Sequence, residues 1–333
     1  MKKLGIGVIG CGAIAHRAYL PTFWSLPDTR LIAVSDIDQK KAKLTAKQYR
    51  AQPYTDYTGL LDCEDIDAIS ICTPPSVHAE IAVKAAERNK HILCEKPIAL
   101  TLDDANQMIK AAKKHKVLLM IGHHLHFQDN LRKTKELVED KHFGDVVMIK
   151  CHWLGRSALF GGWKTQSNFY KKRNLGGDVL LDYGPHLTDL VRWLCDDVVE
   201  VYAHSDIYGA KPNIQVYDRA NVLLKFENGV IGDLSLGYFP YEEHWVEIIC
   251  SRGRIISDLF KYTMNLRYAS RSIQTTFNQV KNGWIKEIEH FVECIHQNSL
   301  PEITGEDGKK ALEIVLAAYA SQKTHKMIKL PLS

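Results

Sequence analysis

The 333-residue sequence has no Cys-x-x-Cys pair, no internal repeat, no low-complexity tract and no large charge imbalance. Its eight cysteines, at 11, 63, 72, 94, 151, 195, 250 and 294, stand singly. Scattered thiols of this kind argue against a disulfide framework and against a structural zinc site. No apolar run approaches the ~18–20 residues that span a bilayer. The net charge is only +4, and the lysines at 40, 41, 43 and 47, or 110, 113, 114 and 116, fall on predicted helices. They read as solvated faces, so neither a nucleic-acid nor a membrane partner is expected. The opening MKKLGIGVIGCG has two lysines before an apolar stretch, but glycines break that stretch. It reads as a strand rather than a leader, and the protein as cytoplasmic.

What is present is ordinary globular composition, 45% hydrophobic and 25% charged, in a chain long enough for two domains. Up to about residue 122, short apolar runs alternate with helical patterns. The runs are 4–9, 30–35, 67–72, 91–94 and 117–122, and the helical segments lie near 13–25, 38–50, 76–89 and 101–115. Continuous apolar strands imply burial on both faces, and strand–helix repetition implies a parallel, doubly wound sheet. Thr101, Asp103 and Asp104 supply an N-cap and early acids for the last of these helices. Beyond 123 the pattern changes. A helix (127–140), a strand (145–153) and a helix around 185–195 precede β-like runs at 198–205, 219–226, 230–239, 245–250 and 253–259. Turns such as Asn228-Gly229 between them suggest a large, mostly antiparallel sheet. Helices near 284–298 and 306–322 follow. The expected fold is α/β: a doubly wound Rossmann domain, 1–122, and an α+β domain with an open antiparallel sheet, 123–333.

Several strand ends carry chemistry. GCGAIA follows the first strand and opens a helix. Gly10 permits the tight turn, Gly12 lets backbone approach a pyrophosphate, and Ala13 and Ile14 open a helix whose N–H groups attract anions. Cys11, between the glycines, is either a reactive thiol or a source of backbone alone. Asp36 ends the second strand at the distance expected of a carboxylate bonding ribose hydroxyls, and no arginine follows it. NAD is therefore favoured over NADP. Asp36 could instead cap the next helix, although Asp38 serves as well. In CTPPSVHAE, Thr73, Pro74, Pro75 and His78 are candidate cofactor contacts, with Ser76 a candidate helix cap. Glu95 and Lys96 close the strand HILC, and His123 follows the strand ending at 122. In open α/β sheets ligands bind outside the carboxyl ends of the strands, where all of these residues fall. A lysine there can stabilise charge on a substrate oxygen as hydride moves; Glu95 either orients it or touches the cofactor.

Within GGDVLLDYGPH, Asp182 and His186 are four apart. They share a helix face, or His186 begins a new helix after the Gly184-Pro185 turn. Either arrangement sets a carboxylate near an imidazole, as a general base and its orienting acid require. His123, His124 and His126 match no metal-ligand spacing, so no metal is assigned. His124 is placed with the substrate. Trp163 and Tyr170, with Trp153, Arg156 and Lys164, have the aromatic faces and long donors that suit sugar rings, or else pack in the core.

GCGAIA, Asp36, CTPPSVHAE, CEKPIA, GGDVLLDYGPH and the closing ITGEDGKKALEIVLAAYAS together resemble the Gfo/Idh/MocA family of nicotinamide-dependent oxidoreductases. The resemblance covers nearly the whole chain. It implies that Lys96 is the catalytic lysine, that Asp182 and His186 complete the catalytic group, and that His186 takes the proton of the alcohol. Substrates would be sugars, cyclitols or related polyols, with NAD as cofactor and a homodimer or homotetramer formed through the C-terminal sheet. The bond before Pro97 is expected to be cis. The chain departs from the family in having His126 where many relatives have arginine and Pro185 before the histidine; both bear on the substrate. Two alternatives share these motifs: an NAD-using glycosidase that oxidises its sugar transiently, and a sensor of sugar and nucleotide without turnover. Retention of Lys96, Asp182 and His186 together argues against the sensor.

Overall fold

The structure, a computed structural model, describes residues 3–155, 177–208, 216–268, 270–277 and 281–332. Two compact units are present. One comprises residues 1–124 and 283–309, the other 125–282 and 310–333.

The first unit is built on a six-stranded parallel sheet. Its strands are β1 (Leu4–Ile9), β2 (Thr29–Ser35), β3 (Gln52–Tyr54), β4 (Ala68–Ile71), β5 (His91–Glu95) and β6 (Leu119–Gly122), in the order β3-β2-β1-β4-β5-β6. The order reverses between β1 and β4, which creates the crevice where such sheets bind ligands. Ala68–Ile71 and Leu119–Gly122 are buried along their whole length, as the continuous apolar runs require. Strand β3 is absent from the runs read in the sequence. It is an edge strand containing Pro53, which lacks a donor and has only one neighbour to satisfy. The helix Leu102–His115 is capped as expected: Thr101 accepts from the Asp104 N–H at 3.1 Å.

Residues 283–309 also pack in this unit, although the sequence places the division at 122. Thr304 bridges to Met120 of β6, and the Ile121 N–H donates to the Ile303 carbonyl. The opening of helix Gly305–Thr324 lies so close to β6 that a Cβ on Gly308 would stand 2.7 Å from Cγ1 of Ile121.

Among the described residues, the second unit holds a nine-stranded sheet. Its strands are β7 (Val146–Gly155), β8 (Val198–Asp206), β9 (Arg219–Phe226), β10 (Ile231–Tyr238), β11 (Glu243–Cys250), β12 (Gly253–Asp258), β13 (Thr263–Tyr268), β14 (Arg271–Thr276) and β15 (Ile328–Lys329). Their order is β14-β13-β12-β11-β7-β10-β9-β8-β15, antiparallel except where β7 runs parallel to β10. Strand β9 alternates buried and exposed residues, the mark of a sheet with one covered face. Helix Gly184–Leu194, buried over most of its length, packs on that face through β7 and β10. The Asn228-Gly229 turn is present, with Gly229 at φ +88°. Strands β13 and β14 form an edge hairpin in which every residue of β14 is exposed, so no apolar alternation marks it in the sequence.

Helix propensity alone favours alanine over glycine at Gly308 by about 1 kcal/mol. The contact with Ile121 opposes this, and overpacking costs about 1–3 kcal/mol. We therefore expect Gly308→Ala to lower the midpoint of urea unfolding; a raised midpoint would mean that β6 yields without cost.

Candidate active site

The carboxyl edge of the first sheet gathers the predicted strand-end residues. Gly10 follows β1 at φ +96°, a conformation open to glycine at little cost. A Cβ there would lie 2.6 Å from the Cys72 carbonyl oxygen, so β1 and the end of β4 can approach only because Gly10 has none. At Gly12 an added Cβ would meet nothing within 4 Å among the described residues. Ala13 is exposed and Ile14 half-buried at that helix start. Cys11 is buried, and burial, reinforced by the Asp36 carboxylate, pushes its thiol up to about 11. Burial of this kind disfavours the thiolate and argues against the reactive-thiol reading of Cys11.

Asp36 accepts from the Cys11 N–H at 2.9 Å through one oxygen and from the Asp38 N–H at 2.8 Å through the other. Asp38 caps helix Gln39–Tyr49 by accepting from Lys40 and Lys41. Capping therefore falls to Asp38, and the half-buried Asp36 ties the glycine turn to the end of β2. A carboxylate has about four acceptor positions, so two N–H bonds leave room for ribose hydroxyls.

Thr73 follows β4. Its hydroxyl oxygen is buried and has no hydrogen-bond partner among the described residues. A buried hydroxyl without a partner is costly, and a polar ligand at this edge would supply one. Pro74 is exposed, and Pro75 opens a short 3₁₀ turn, Pro75–Val77. That turn takes the place expected of a Ser76 cap: no side chain caps helix His78–Glu87. His78 is fully buried. Its Nε2 lies 2.8 Å from the Thr73 carbonyl oxygen and its Nδ1 3.0 Å from that of Pro97. Burial lowers the His78 pKa and favours the neutral ring, which has one N–H and so donates to only one of these two carbonyls while packing between the Thr73 and Lys96 loops; the sequence shows the histidine but not its inward direction.

Glu95 ends β5, Lys96 follows it, and the Lys96–Pro97 bond is cis, as expected. Glu95 is buried; one carboxylate oxygen accepts from the Tyr19 hydroxyl at 2.8 Å and the other from the Lys96 N–H at 3.1 Å. Tyr19 has no local sequence signal and was not among the expected site residues. His123 and His124 are both buried after β6. His124, expected to meet substrate, stacks on Trp284 at 4.2 Å, and the Arg17 guanidinium lies 5.2 Å from the same indole. Trp284 is distant in sequence, so this use of His124 was invisible there.

In the second unit, Asp182 ends helix Val179–Asp182 and His186 lies in the first turn of helix Gly184–Leu194, with Pro185 at its start. Of the two arrangements read from the sequence, the interrupted one is present. The preceding carboxylate, Asp178, is a buried hub: it accepts from the backbone N–H groups of Leu180 and Tyr217 and from the Tyr319 hydroxyl at 2.7 Å. Asp182 is half-buried and takes the Tyr238 hydroxyl at 3.2 Å. His186 lies almost parallel to the Trp153 indole, at 8° and 4.9 Å. Trp153 also stacks on Tyr183 and is only 6% exposed, which makes it a wall for His186 rather than an open sugar platform. His126 pairs with Asp189 at 2.7 Å and stacks on Trp193, all in the interior. Trp163, Tyr170, Arg156 and Lys164 lie outside the described residues.

Comparison with known proteins gives concordant results. Residues 4–123 match the oxidoreductase family with an NAD-binding Rossmann fold, and residues 131–256 match the GFO/IDH/MocA C-terminal domain. The chain is 30% identical to an uncharacterized oxidoreductase, YrbE, of Bacillus subtilis, over 96% of this chain and 94% of that one. It is 27% identical to the myo-inositol 2-dehydrogenase of Thermotoga maritima, over 98% of each. The crystal structure of an aldose-aldose oxidoreductase from Caulobacter crescentus superposes with a TM-score of 0.89 at 27% identity, covering 99% of this chain and 100% of that one. The chain therefore belongs to the GFO/IDH/MocA family of oxidoreductases and carries its NAD-binding Rossmann fold.

Proposed function

We propose that this protein transfers a hydride between a sugar, cyclitol or related polyol and NAD, with Lys96, Asp182 and His186 at the catalytic centre. The observation that carries the reading is the single edge of the first sheet. There the Gly10 turn, the Asp36 carboxylate, the buried Thr73 hydroxyl and the Glu95-Lys96 pair all follow strand ends. The naming of relatives as inositol dehydrogenase and aldose oxidoreductase supports the substrate class.

In this reading residues 1–122 hold the cofactor and 123–333 the substrate. Gly10, Gly12, Ala13 and Ile14 present backbone to the pyrophosphate, Asp36 takes the ribose hydroxyls, and Thr73, Pro74 and Pro75 flank the nicotinamide half. Bound NAD supplies a two-electron hydride acceptor. Lys96 donates to the substrate oxygen and stabilises its developing charge. His186 accepts the hydroxyl proton in oxidation and returns it in reduction, and Asp182 orients the imidazole. His123 borders the cofactor. Trp163 and Tyr170 remain proposed substrate contacts. Assembly as a homodimer or homotetramer through the C-terminal sheet is supported by Tyr202 and Leu223, paired across β8 and β9, both exposed.

Three outcomes follow. Asp36→Ala should raise KM for NAD by about 10-fold or more, the worth of a charge-assisted hydrogen bond, and narrow the preference over NADP. A wild type that strongly prefers NADP would contradict this assignment. Lys96→Met should lower kcat by about 10²–10³-fold, the scale of one lost oxyanion donor, while NADH still binds in a fluorescence titration. His186→Asn should lower kcat by about 10²–10⁴-fold, as loss of a general base does. Unchanged turnover in both variants would remove these residues from the catalytic centre.

A further inference from the structure

We infer that Tyr19 is a positioning residue for the reaction, acting through Glu95 on the backbone that carries Lys96. The inference rests on the assignment of Lys96 to the catalytic centre.

Tyr19 closes a π-helical turn, Ala15–Tyr19, that follows the glycine loop, and its side chain is fully buried. A phenolic hydroxyl in such a place needs a partner. Its partner is Glu95, itself only 7% exposed, with the hydroxyl 2.8 Å from Oε1. The second oxygen, Oε2, accepts from the N–H of Lys96 at 3.1 Å. One carboxylate thus spans two elements, holding the helix after the glycine loop on one side and the residue after β5 on the other. Each oxygen has a distinct donor, so the carboxylate cannot turn without losing one of the two bonds.

The neighbourhood is built around this hydroxyl. At Gly122, the last residue of β6, a Cβ would stand 2.8 Å from the Tyr19 hydroxyl oxygen and 3.5 Å from both the Cys94 carbonyl and the Glu95 Cα. Any larger residue would displace the phenol from Glu95. Burial, followed by the charges of Glu95 and Glu287, holds the Tyr19 hydroxyl well above its ordinary pKa, so it remains a donor at every working pH.

The consequence lies in geometry. The Lys96 side chain leaves the backbone at the very residue whose N–H is held by Glu95. Misplacing a catalytic group by about 1 Å can cost ~10²-fold in rate, so a clamp on this backbone acts on turnover without touching substrate. Of the two roles open to Glu95, this favours the first, in which its carboxylate orients the lysine.

The test uses the full-length protein with two variants, Tyr19→Phe and Glu95→Gln, the first keeping the ring and its packing. Hydrogen–deuterium exchange of the ligand-free protein reads the Lys96 amide directly. Both variants should speed exchange at that amide by about 10-fold, while peptides from helix Asp129–Glu139 exchange as in the wild type. With the polyol that reduces NAD fastest in a panel of sugars and inositols, Tyr19→Phe should lower kcat by about 10-fold. KM for NAD should stay within about twofold, a split that general destabilisation would not produce. Because the two residues act as one unit, Tyr19→Phe should add nothing to Glu95→Gln in the double variant. Wild-type exchange at Lys96 in Tyr19→Phe overturns the inference, as do additive effects in the double variant. Lys96→Met is the control: if it leaves turnover intact, the functional assignment fails, and the exchange result still decides whether Tyr19 holds this backbone.

Discussion

The approach of Gly10 to the Cys72 carbonyl is the constraint on which the first unit's ligand edge depends. Strand β1 and strand β4 are neighbours where the sheet order reverses, and their carboxyl ends can lie side by side only if the turn after β1 brings no side chain. Gly10 meets this with its left-handed backbone and missing Cβ. Asp36 then anchors the turn from β2 by accepting the Cys11 N–H, and Thr73 emerges from β4 with a buried hydroxyl. His78 lies one strand further, buried between the carbonyls of Thr73 and Pro97, to one of which its neutral ring can donate. Glu95 completes the edge with bonds to Tyr19 and Lys96. An edge made of strand ends is thus held by side chains that bond backbone, and the Glu95 carboxylate is the one that holds the Lys96 N–H.

The second unit solves a similar problem with aromatic rings and one buried carboxylate. Asp178 gathers two backbone N–H groups and the Tyr319 hydroxyl, which secures the start of the short helix leading to Asp182. Tyr238 bonds Asp182 from β10, while Trp153 from β7 lies flat against His186. The break at Tyr183 turns the chain so that His186 falls in the first turn of a new helix rather than one turn above Asp182. Carboxylate and imidazole each have a partner on the sheet, Tyr238 on β10 and Trp153 on β7.

Much of this was legible in the sequence because it is local. The glycine turn, the strand-end Asp36, the Thr101 cap, the Glu95-Lys96-Pro97 ending and the D-x-x-x-H spacing all lie within a few residues of the elements that give them meaning. The buried strands of the parallel sheet were readable because their apolar runs are uninterrupted. Strands β3, β13 and β14 were not, for an edge strand needs neither a continuous apolar run nor alternation; Pro53 and the exposed Arg271–Thr276 show why. Side-chain direction was also hidden. The ring nitrogens of His78 face the carbonyl oxygens of Thr73 and Pro97, and His124 stacks on Trp284; neither neighbour can be read from the sequence. The partnerships of Tyr19 with Glu95, of Asp178 with Tyr319, and of residues 283–309 with β6 join positions far apart in the chain. No local pattern reports such distant contacts.

The central claim is that a hydride leaves a polyol carbon and arrives on the nicotinamide. It is tested most directly by following the atom itself. Sugars and inositols carrying deuterium on the hydroxyl-bearing carbons would be incubated with the protein and NAD, and the nicotinamide product analysed by mass spectrometry. The account predicts that reduced nicotinamide carrying the substrate's deuterium accumulates in proportion to the ketone or lactone formed. Unlabelled, unreduced NAD throughout, with the polyols unchanged or cleaved at a glycosidic bond, would contradict it.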